Sequence, residues 1–431
     1  MKLSRAATAV VCGAAALALA SGCSSGGSPA STASQKVTLT FWSWVPNMNK
    51  IVAVWNKANP DIQIKFTEAS GGDAELSKLL TAGKAKDMPD LAQVEYQSLP
   101  TMVSNGYLAD ISSYADNLKS DYPDGIWKQV TVGTGALYGV PQDSAPLAFF
   151  YRKDLFTQYN LPVPTTWAQY ATEAAQLHTD NKSLFMGDTA ATDAGLFAGL
   201  SQQAGAQWWS SSGSSWSVGI DSAASQKVAS FWGNLVQQGV VDNQTAWTAS
   251  WDKSFASGQY ASWIAAVWAP GDLESSAANT SGDWAMAPLP QWTAGGTVDG
   301  DWGGSATSVT SDSKHPQQAA QFISWLNHSA QGTGLLVSDG AIYPASLSAE
   351  SSSGLPAQTF MAQSDFYALA KQYSSQSAAA TWGPDVDVAY SDFSSDFTTS
   401  VGTEAGYLNA LSTLQSSVVK DMQSSGFTIK S

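Results

Sequence analysis

The sequence predicts an α/β protein with two lobes, each a mainly parallel sheet flanked by helices, and a cleft between the lobes. The chain has 431 residues, which exceeds the length at which a single hydrophobic core stops growing. Strand and helix periodicities alternate in its first third, and two extended, proline-bearing segments lie near 140–147 and 283–290. Two such crossings indicate that one lobe is inserted into the other, and a cleft between lobes is the default place for a ligand.

The first lobe is predicted to begin with a strand and a helix. Apolar and polar residues alternate over 37–41 with strand period. The helix after it repeats its apolar residues at i, i+3, i+4 and i+7: Met48, Ile51, Val52 and Trp55. Asn47 stands at the N-cap position, where its side chain is expected to cap this helix. Further strands at 61–67 and 90–96, with a helix between them, imply parallel pairing with right-handed crossovers.

The second lobe opens with an extended segment over 138–156, followed by a helix that Thr165 or Thr166 caps. A later helix begins at Pro316, a residue type favoured in the first turn. Four tryptophans on the apolar stripes of helices are predicted to be core: Trp55, Trp167, Trp232 and Trp325. The resulting boundaries are 36–142 with 286–328 for the N-terminal lobe, and 143–285 with 329–431 for the C-terminal lobe.

The first 22 residues are typical of a lipoprotein signal peptide. Lys2 and Arg5 precede an apolar run over 6–20 that is too short to span a membrane, and small residues stand directly before Cys23. We expect cleavage before Cys23, lipidation of this cysteine, and a flexible Ser/Gly-rich tether over 23–35. An ordinary secretory signal with an incidental cysteine is the alternative.

The mature chain is predicted to be strongly acidic. Loss of Lys2 and Arg5 removes two positive charges and takes the net charge from −15 to −17. Such a chain is not expected to bind nucleic acid, which favours basic patches. Of the two cysteines, cleavage would remove Cys12, so no disulfide within the chain is expected.

Signatures of catalysis are weak. The three histidines share no metal spacing, and the chain lacks GxSxG, HExxH and P-loop motifs. We therefore expect no enzyme activity, no metal and no cofactor. Two carboxylate pairs, Asp299 with Asp301 and Asp385 with Asp387, are interpreted as solvated loop residues. A secreted glycoside hydrolase or lyase that uses such a pair with aromatic subsites is the alternative.

Aromatic residues give the stronger signal, since the chain contains 18 tryptophans. Several aromatics stand in loops or at strand ends, beside Gly, Pro, Asp and Ser: Trp42, Trp44, Trp263, Trp268, Trp302, Tyr343 and Trp382. An indole ring can cover the apolar C–H face of a sugar, while carboxylate and amide groups accept hydrogen bonds from its hydroxyl rim. This placement favours carbohydrate binding over a purely structural role.

The chain contains, in order, the stretches "TLTFWSW", "EASGGDAELSKLLTAGKAKDMPDLAQVEY", "LYGVPQDSAPLAFFYRKDLF" and "SFASGQYASWIAAVWAPG". In these it resembles the extracellular solute-binding proteins of bacterial ABC importers, family 1, and the composition fits an actinobacterial member. The resemblance implies a periplasmic-binding-protein-like fold of type II that closes by hinge motion. It also implies a lipid-anchored monomer at the extracellular face of the cytoplasmic membrane, which passes a sugar to permease subunits. The many tryptophans favour a neutral oligosaccharide, because each indole can cover one sugar ring, and the acidic balance argues against an acidic sugar.

The resemblance further implies a set of ligand residues at strand ends and in loops that face the cleft. They are Trp44, Ser70, Gly71, Glu95, Tyr96, Asp143, Trp268, Trp302, Gly303, Gly304, Tyr343 and Trp382. A peptide, a polyamine or another osmolyte remains an alternative cargo for the same kind of importer. A polyamine would require several carboxylates in the cleft.

Overall fold

The computed structural model describes residues 36–190, 192–212, 215–351, 358–361, 363–378, 380–399 and 402–430. The predicted signal peptide, the tether and the lipidation site Cys23 lie outside the described residues. Within the described ranges, no helix combines the length and the apolar character that crossing a membrane requires.

The strands of the described chain are β1 Val37–Ser43, β2 Ile62–Glu68, β3 Leu91–Glu95, β4 Val140–Asp143, β5 Leu147–Arg152, β6 Trp209–Ser212, β7 Ser215–Val218, β8 Ser262–Ala266, β9 Trp284–Ala287, β10 Ser305–Val309 and β11 Thr428–Ile429. The helices are α1 Met48–Ala58, α2 Gly72–Ala85, α3 Leu99–Ser104, α4 Ser112–Ala115, α5 Asp124–Thr131, α6 Lys153–Gln158, α7 Trp167–Asp180, α8 Ala194–Gln203, α9 Ala223–Gln237, α10 Ala249–Ala256, α11 Ala269–Ser276, α12 Pro316–His328, α13 Ala330–Ser338, α14 Leu347–Glu350, α15 Phe366–Gln376, α16 Val386–Thr399 and α17 Glu404–Ser424.

The first core is built on a five-stranded sheet in the order β2-β1-β3-β10-β4. β1 runs parallel to β2 and to β3, whereas β10 is antiparallel to both of its neighbours. Phe41 pairs with Phe66 on one side and Leu91 on the other, and is fully buried. All four residues of the predicted α1 stripe are buried, which confirms that helix.

Asn47 does not cap α1 in the predicted way. Its backbone is left-handed, with φ of 55°, and its side chain makes no capping hydrogen bond. The side-chain amide instead donates to the carbonyl oxygen of Asp339 at 3.0 Å. The helix start is therefore fixed by a contact with a distant segment, which local sequence does not reveal. Thr166, by contrast, caps α7 as predicted, because its side chain accepts from the amide of Gln169.

The second core surrounds a three-stranded sheet in the order β8-β5-β9. Here the prediction of a mainly parallel sheet is wrong, because β5 is antiparallel to both β8 and β9. Trp167 and Trp232 are buried in this core, as predicted. A further small sheet joins β11, β7 and β6. The two-lobed α/β fold class itself is confirmed by structures of the same architecture, given below.

The return crossing lies later in the chain than the predicted 283–290. That segment contains β9, whose Trp284 is fully buried and pairs with Arg152 in the second sheet. The chain returns to the first sheet over 299–305, where β10 begins. An extended sequence with prolines is compatible both with a strand and with a crossing between lobes. The pattern therefore did not distinguish β9 from the return crossing.

The segment after α12 also differs from the predicted boundary, which assigned 329–431 to the second lobe. Leu336 and Ala345 are buried in the first core, and residues from Phe360 onward belong to the second. The amide of Ser144 donates to the carbonyl of Tyr343 at 3.0 Å. The segments around 144, 302 and 343 therefore lie side by side between the cores.

Candidate functional site

The C-terminal end of β1 presents Trp44 at the edge of the first sheet. The buried side chain of Gln93 fixes this end, because its Oε1 accepts from the hydroxyl of Ser43 at 2.7 Å and from the amide of Trp44 at 3.2 Å. Gly71 packs against the indole ring, and a Cβ atom there would lie 3.2 Å from Cγ of Trp44. With φ of 74° as well, this position favours glycine. Trp44 itself is half-buried.

Ser70 lies beside Trp44 but is engaged with α2. Its amide donates to Oε2 of Glu75 at 3.2 Å, and its hydroxyl is hydrogen-bonded to the amino group of Lys78. Lys78 also pairs with Glu75, at 3.7 Å. The exposed Ser70 thus belongs to the edge of the site, at the start of α2, and its hydroxyl already has a partner.

The centre of the site is the place where the crossing segments meet the end of β3. The hydroxyl of Tyr96 donates to the carbonyl of Asp143 at 2.9 Å, and Ser305 donates to the Asp143 carboxylate. Gly304 lies against the ring of Tyr96, where a Cβ atom would come within 2.9 Å. Its φ of 82° also favours glycine. Four of the predicted residues, Glu95, Tyr96, Asp143 and Gly304, are therefore brought together.

The second core contributes two of the predicted tryptophans, Trp268 and Trp302, which are in contact with each other. Trp268 follows β8, and its indole N–H donates to the carbonyl of Trp302 at 3.1 Å. Their ring centroids are 4.8 Å apart in an edge arrangement. Gly303 leads from Trp302 toward the first sheet, with its Cβ position 3.8 Å from Nε1 of Trp268. Trp302 is buried, whereas Trp268 is half-buried.

Trp247 joins these two rings and was missed by sequence reasoning. Its centroid lies 6.0 Å from that of Trp268 and 5.9 Å from that of Trp302. Trp251 and Trp263 complete the group, at 5.2 and 6.3 Å from Trp247. We call these five residues the Trp cluster. "TAWTAS" carries no periodicity that marks Trp247, and the one available signal was a tryptophan beside small polar residues.

Tyr343 and Trp382, the two remaining predicted residues, are both buried. Tyr343 is 2% exposed and stacks on Tyr367 beside the crossings. Trp382 is 8% exposed and packs against Trp209 and Tyr390. Trp302 and Tyr96 are buried to a similar degree, so a role in ligand binding stays a prediction for Tyr343 and Trp382.

Four carboxylates line the region between the cores, and we call them the cleft carboxylates: Asp73, Glu95, Asp143 and Asp193. Burial, followed by repulsion from the other three, raises the pKa of Glu95 to about 8. Burial likewise raises the pKa of Asp143 and of Asp193 to about 6 each. Among the described residues, the ion pairs lie elsewhere and none includes a cleft carboxylate.

The pair Asp299 and Asp301 is not solvated as predicted. Asp299 is 3% exposed, and burial raises its pKa well above the ordinary range. Asp301 is half-buried, and burial raises its pKa to about 6. Both residues belong to the return crossing, where Asp301 bridges to Pro146 of the first crossing. Their burial follows from this position between the cores.

The sequence matches one protein family and several characterised relatives. The family described as "Bacterial extracellular solute-binding protein" matches residues 42–332. A lactose-binding protein of Rhizobium radiobacter is 25% identical over 309 residues, which cover 68% of this chain and 71% of that protein. An arabinooligosaccharide-binding protein of Bacillus subtilis (strain 168) is 24% identical over 316 residues, covering 69% of this chain and 71% of that protein.

Solved structures show the same architecture. The galacto-N-biose-/lacto-N-biose I-binding protein of the ABC transporter from Bifidobacterium longum, in complex with lacto-N-biose, superposes with a TM-score of 0.83. It is 28% identical and the match covers 92% of this chain and 99% of that one. The sugar-binding protein MalE from Xanthomonas citri, 20% identical with a TM-score of 0.72 over 90% and 98% of the two chains, shares the fold.

Proposed function

Because the chain belongs to the bacterial extracellular solute-binding protein family, we propose that it captures a neutral sugar, an oligosaccharide, for an ABC importer. The sugar is held between the two cores and passed to the permease subunits. The observation that carries this proposal is the meeting of aromatic and acidic groups between the cores. Trp44 follows β1 of the first sheet, the Trp cluster packs on the second core, and the cleft carboxylates lie between them.

These groups match the two sides of a sugar. Indole rings cover the apolar C–H face of a pyranose, and carboxylate oxygens accept from its hydroxyls. Oε2 of Glu95 accepts one bond, from Gln97 at 2.7 Å. With its pKa raised to about 8, Glu95 is mainly a protonated carboxyl group at neutral pH, which can donate one hydrogen bond to a sugar hydroxyl as well as accept. Trp263, a member of the Trp cluster, has a buried indole N–H without an acceptor.

Capture requires no chemistry in this proposal. The two cores move as two lobes about the crossing segments, an open form admits the sugar, and closure buries it. The curated relatives described above are binding proteins, which favours this reading over the alternative of a secreted glycoside hydrolase or lyase. Lipidation of Cys23 would keep the monomeric protein at the extracellular face of the cytoplasmic membrane, near its permease.

A thermal-shift panel tests the proposal. The purified protein is mixed with lactose, lacto-N-biose, β-1,6-galactobiose and arabinotriose, together with spermidine and a tripeptide as the alternative cargoes. A saccharide that binds raises the melting temperature by mass action and is recovered unchanged after overnight incubation. A shift with spermidine or the tripeptide alone would contradict the sugar assignment, and hydrolysed saccharide would restore the enzyme alternative.

The Trp268→Ala variant adds a test of the site. Its ring is half-buried at the end of β8, so we expect a loss of saccharide affinity of about ten-fold, from roughly 1.4 kcal/mol of lost ring contact. Trp232→Phe is the matched control, because Trp232 is 3% exposed in the second core. It should lower the melting temperature and leave saccharide affinity within about two-fold of wild type.

A further inference from the structure

Trp247 is the one tryptophan that the fold leaves mostly uncovered. All 18 tryptophans lie in the described residues, and Trp247, at 53% exposure, is the only one among the exposed large hydrophobic side chains. A single exposed aromatic residue is ordinary on a protein surface. Three features of its surroundings distinguish Trp247 from an incidental one.

The first feature is that the exposed ring is held in place. Its indole N–H donates to Oδ2 of Asp193 at 2.8 Å. The other oxygen of Asp193 accepts from the amide of Leu196 and caps α8. Ring contacts with the four other members of the Trp cluster also hold the indole in place. A ligand that lies on this ring therefore has little side-chain freedom to remove, which favours affinity.

The second feature is the backbone. Trp247 has φ of 61°, in the left-handed region that bulky residues rarely adopt. The next residue, Thr248, caps α10 through its side chain. The loop thus holds an unfavourable conformation that brings the indole over Asp193, a residue 54 positions earlier in the chain. Strain of this kind is found where a side chain must be presented in one direction.

The third feature is the position of the ring relative to the two cores. Its partner Asp193 acts electrostatically on Glu95, at the end of β3 in the first core, and on Tyr390 of α16. Trp247 also contacts Trp268 and Trp302, which lie at the strand end and the crossing. The exposed ring therefore belongs to the region between the cores rather than to the outer surface of the second lobe.

We propose that Trp247 is a ligand-contacting platform that carries one sugar ring of the oligosaccharide, and that Asp193 is the positioning residue that fixes the plane of this indole. This inference rests on the proposed function. The ligand unit that it takes is a sugar ring with an exposed apolar C–H face, which stacks on the indole.

Variants at Trp247 and Asp193 separate the two roles. Isothermal titration with the four saccharides named above is performed on wild type, Trp247→Ala, Trp247→Gly, Trp247→Phe and Asp193→Ala. Trp247→Ala and Trp247→Gly remove the ring, and glycine also removes the backbone strain, so both should lose at least about ten-fold in affinity. Trp247→Phe keeps a ring without the N–H and should lose less than Trp247→Ala. Asp193→Ala should weaken binding in the wild-type background and have little further effect when combined with Trp247→Ala.

Trp325→Ala is the matched control. Trp325 is also only partly buried and packs against Trp55 and Phe322 in the first core. It should lower the melting temperature with saccharide affinity within about two-fold of wild type. If wild type binds a saccharide and both Trp247→Gly and Trp247→Ala bind it equally well, the platform role is overturned while the proposed function stands. If wild type binds none of the four, the proposed function fails and the inference falls with it.

Discussion

Glu95 gives the protein a stability that depends on pH, and the Glu95→Gln variant should change that dependence. Burial, then repulsion from Asp73, Asp143 and Asp193, raises the pKa of Glu95 from 4.5 to about 8. The folded protein therefore binds this proton more tightly than the unfolded chain does. The contribution of Glu95 to stability is complete below about pH 4.5 and is lost as the pH rises through about 8.

The magnitude follows from the size of this difference. One pKa unit corresponds to about 1.4 kcal/mol, so the difference sets an upper limit near ~5 kcal/mol. Glu95 is half-buried and water reaches part of it, so screening reduces this figure, and we expect about 2 kcal/mol. Glutamine carries no charge at any pH. Glu95→Gln should therefore match wild type near pH 5 and exceed it by about 2 kcal/mol near pH 8.

Chemical denaturation of both proteins at a series of pH values measures the effect as a difference in the free energy of unfolding. Glu68→Gln is the matched control, since Glu68 ends the neighbouring strand β2 but is exposed. It should follow wild type at every pH. A stability difference between Glu95→Gln and wild type that is constant from pH 5 to pH 8 would refute the electrostatic reasoning.

Three further variants test other parts of the site. Gln93→Leu leaves the hydroxyl of Ser43, the amide of Trp44 and the hydroxyl of Ser305 without their common partner. We expect the free energy of unfolding to fall by about 3 kcal/mol in denaturation experiments. An unchanged value would show that these three hydrogen bonds are dispensable for stability. Gly304→Ala places a Cβ atom 2.9 Å from the Tyr96 ring at a φ of 82°, so stability should fall by about 1–3 kcal/mol, whereas Gly402→Ala, with similar φ and open space around it, isolates the backbone part of that cost. Cys23→Ser should move the protein from the membrane fraction to the medium on cell fractionation, and retention of the variant on the membrane would contradict anchoring through this residue.

The three parallel strands of the first sheet, β1, β2 and β3, were predicted from their short apolar patterns, whereas β10 was not. Val37, Leu39 and Phe41 alternate with polar residues, and all three are buried. The position of Trp44 beyond the end of that pattern was sufficient to place it at the strand-end edge of the sheet. Both the periodicity of a strand and the rule that ligands bind at the carboxyl ends of strands can be applied to a short stretch of sequence.

The features that the sequence did not reveal depend on contacts between distant segments. Trp382 and Trp44 both stand beside turn residues, yet Trp382 is covered by Trp209, which lies more than 170 positions earlier. Trp247, by contrast, is exposed, and a hydrogen bond from its indole N–H to the distant Asp193 holds the ring in place. Exposure of a loop aromatic is set by what packs over it, and a single sequence contains no signal for that.

The observed position of the return crossing changes where hinge motion must be sought. Trp302 belongs to the second core and Ser305 begins β10 of the first sheet, so only Gly303 and Gly304 separate the two. Both have positive φ. Gly304 is tight against Tyr96, but a Cβ atom at Gly303 would lie no closer than 3.8 Å to its nearest neighbour, Nε1 of Trp268. Rotation at Gly303, accompanied by rotation in the neighbouring segments around 144 and 343, can therefore move the Trp cluster relative to Trp44 while Gln93 still ties Trp44 to Ser305. Under the proposed function, Trp44 would move with the first core and the Trp cluster with the second, and the ligand would be enclosed when the two approach each other.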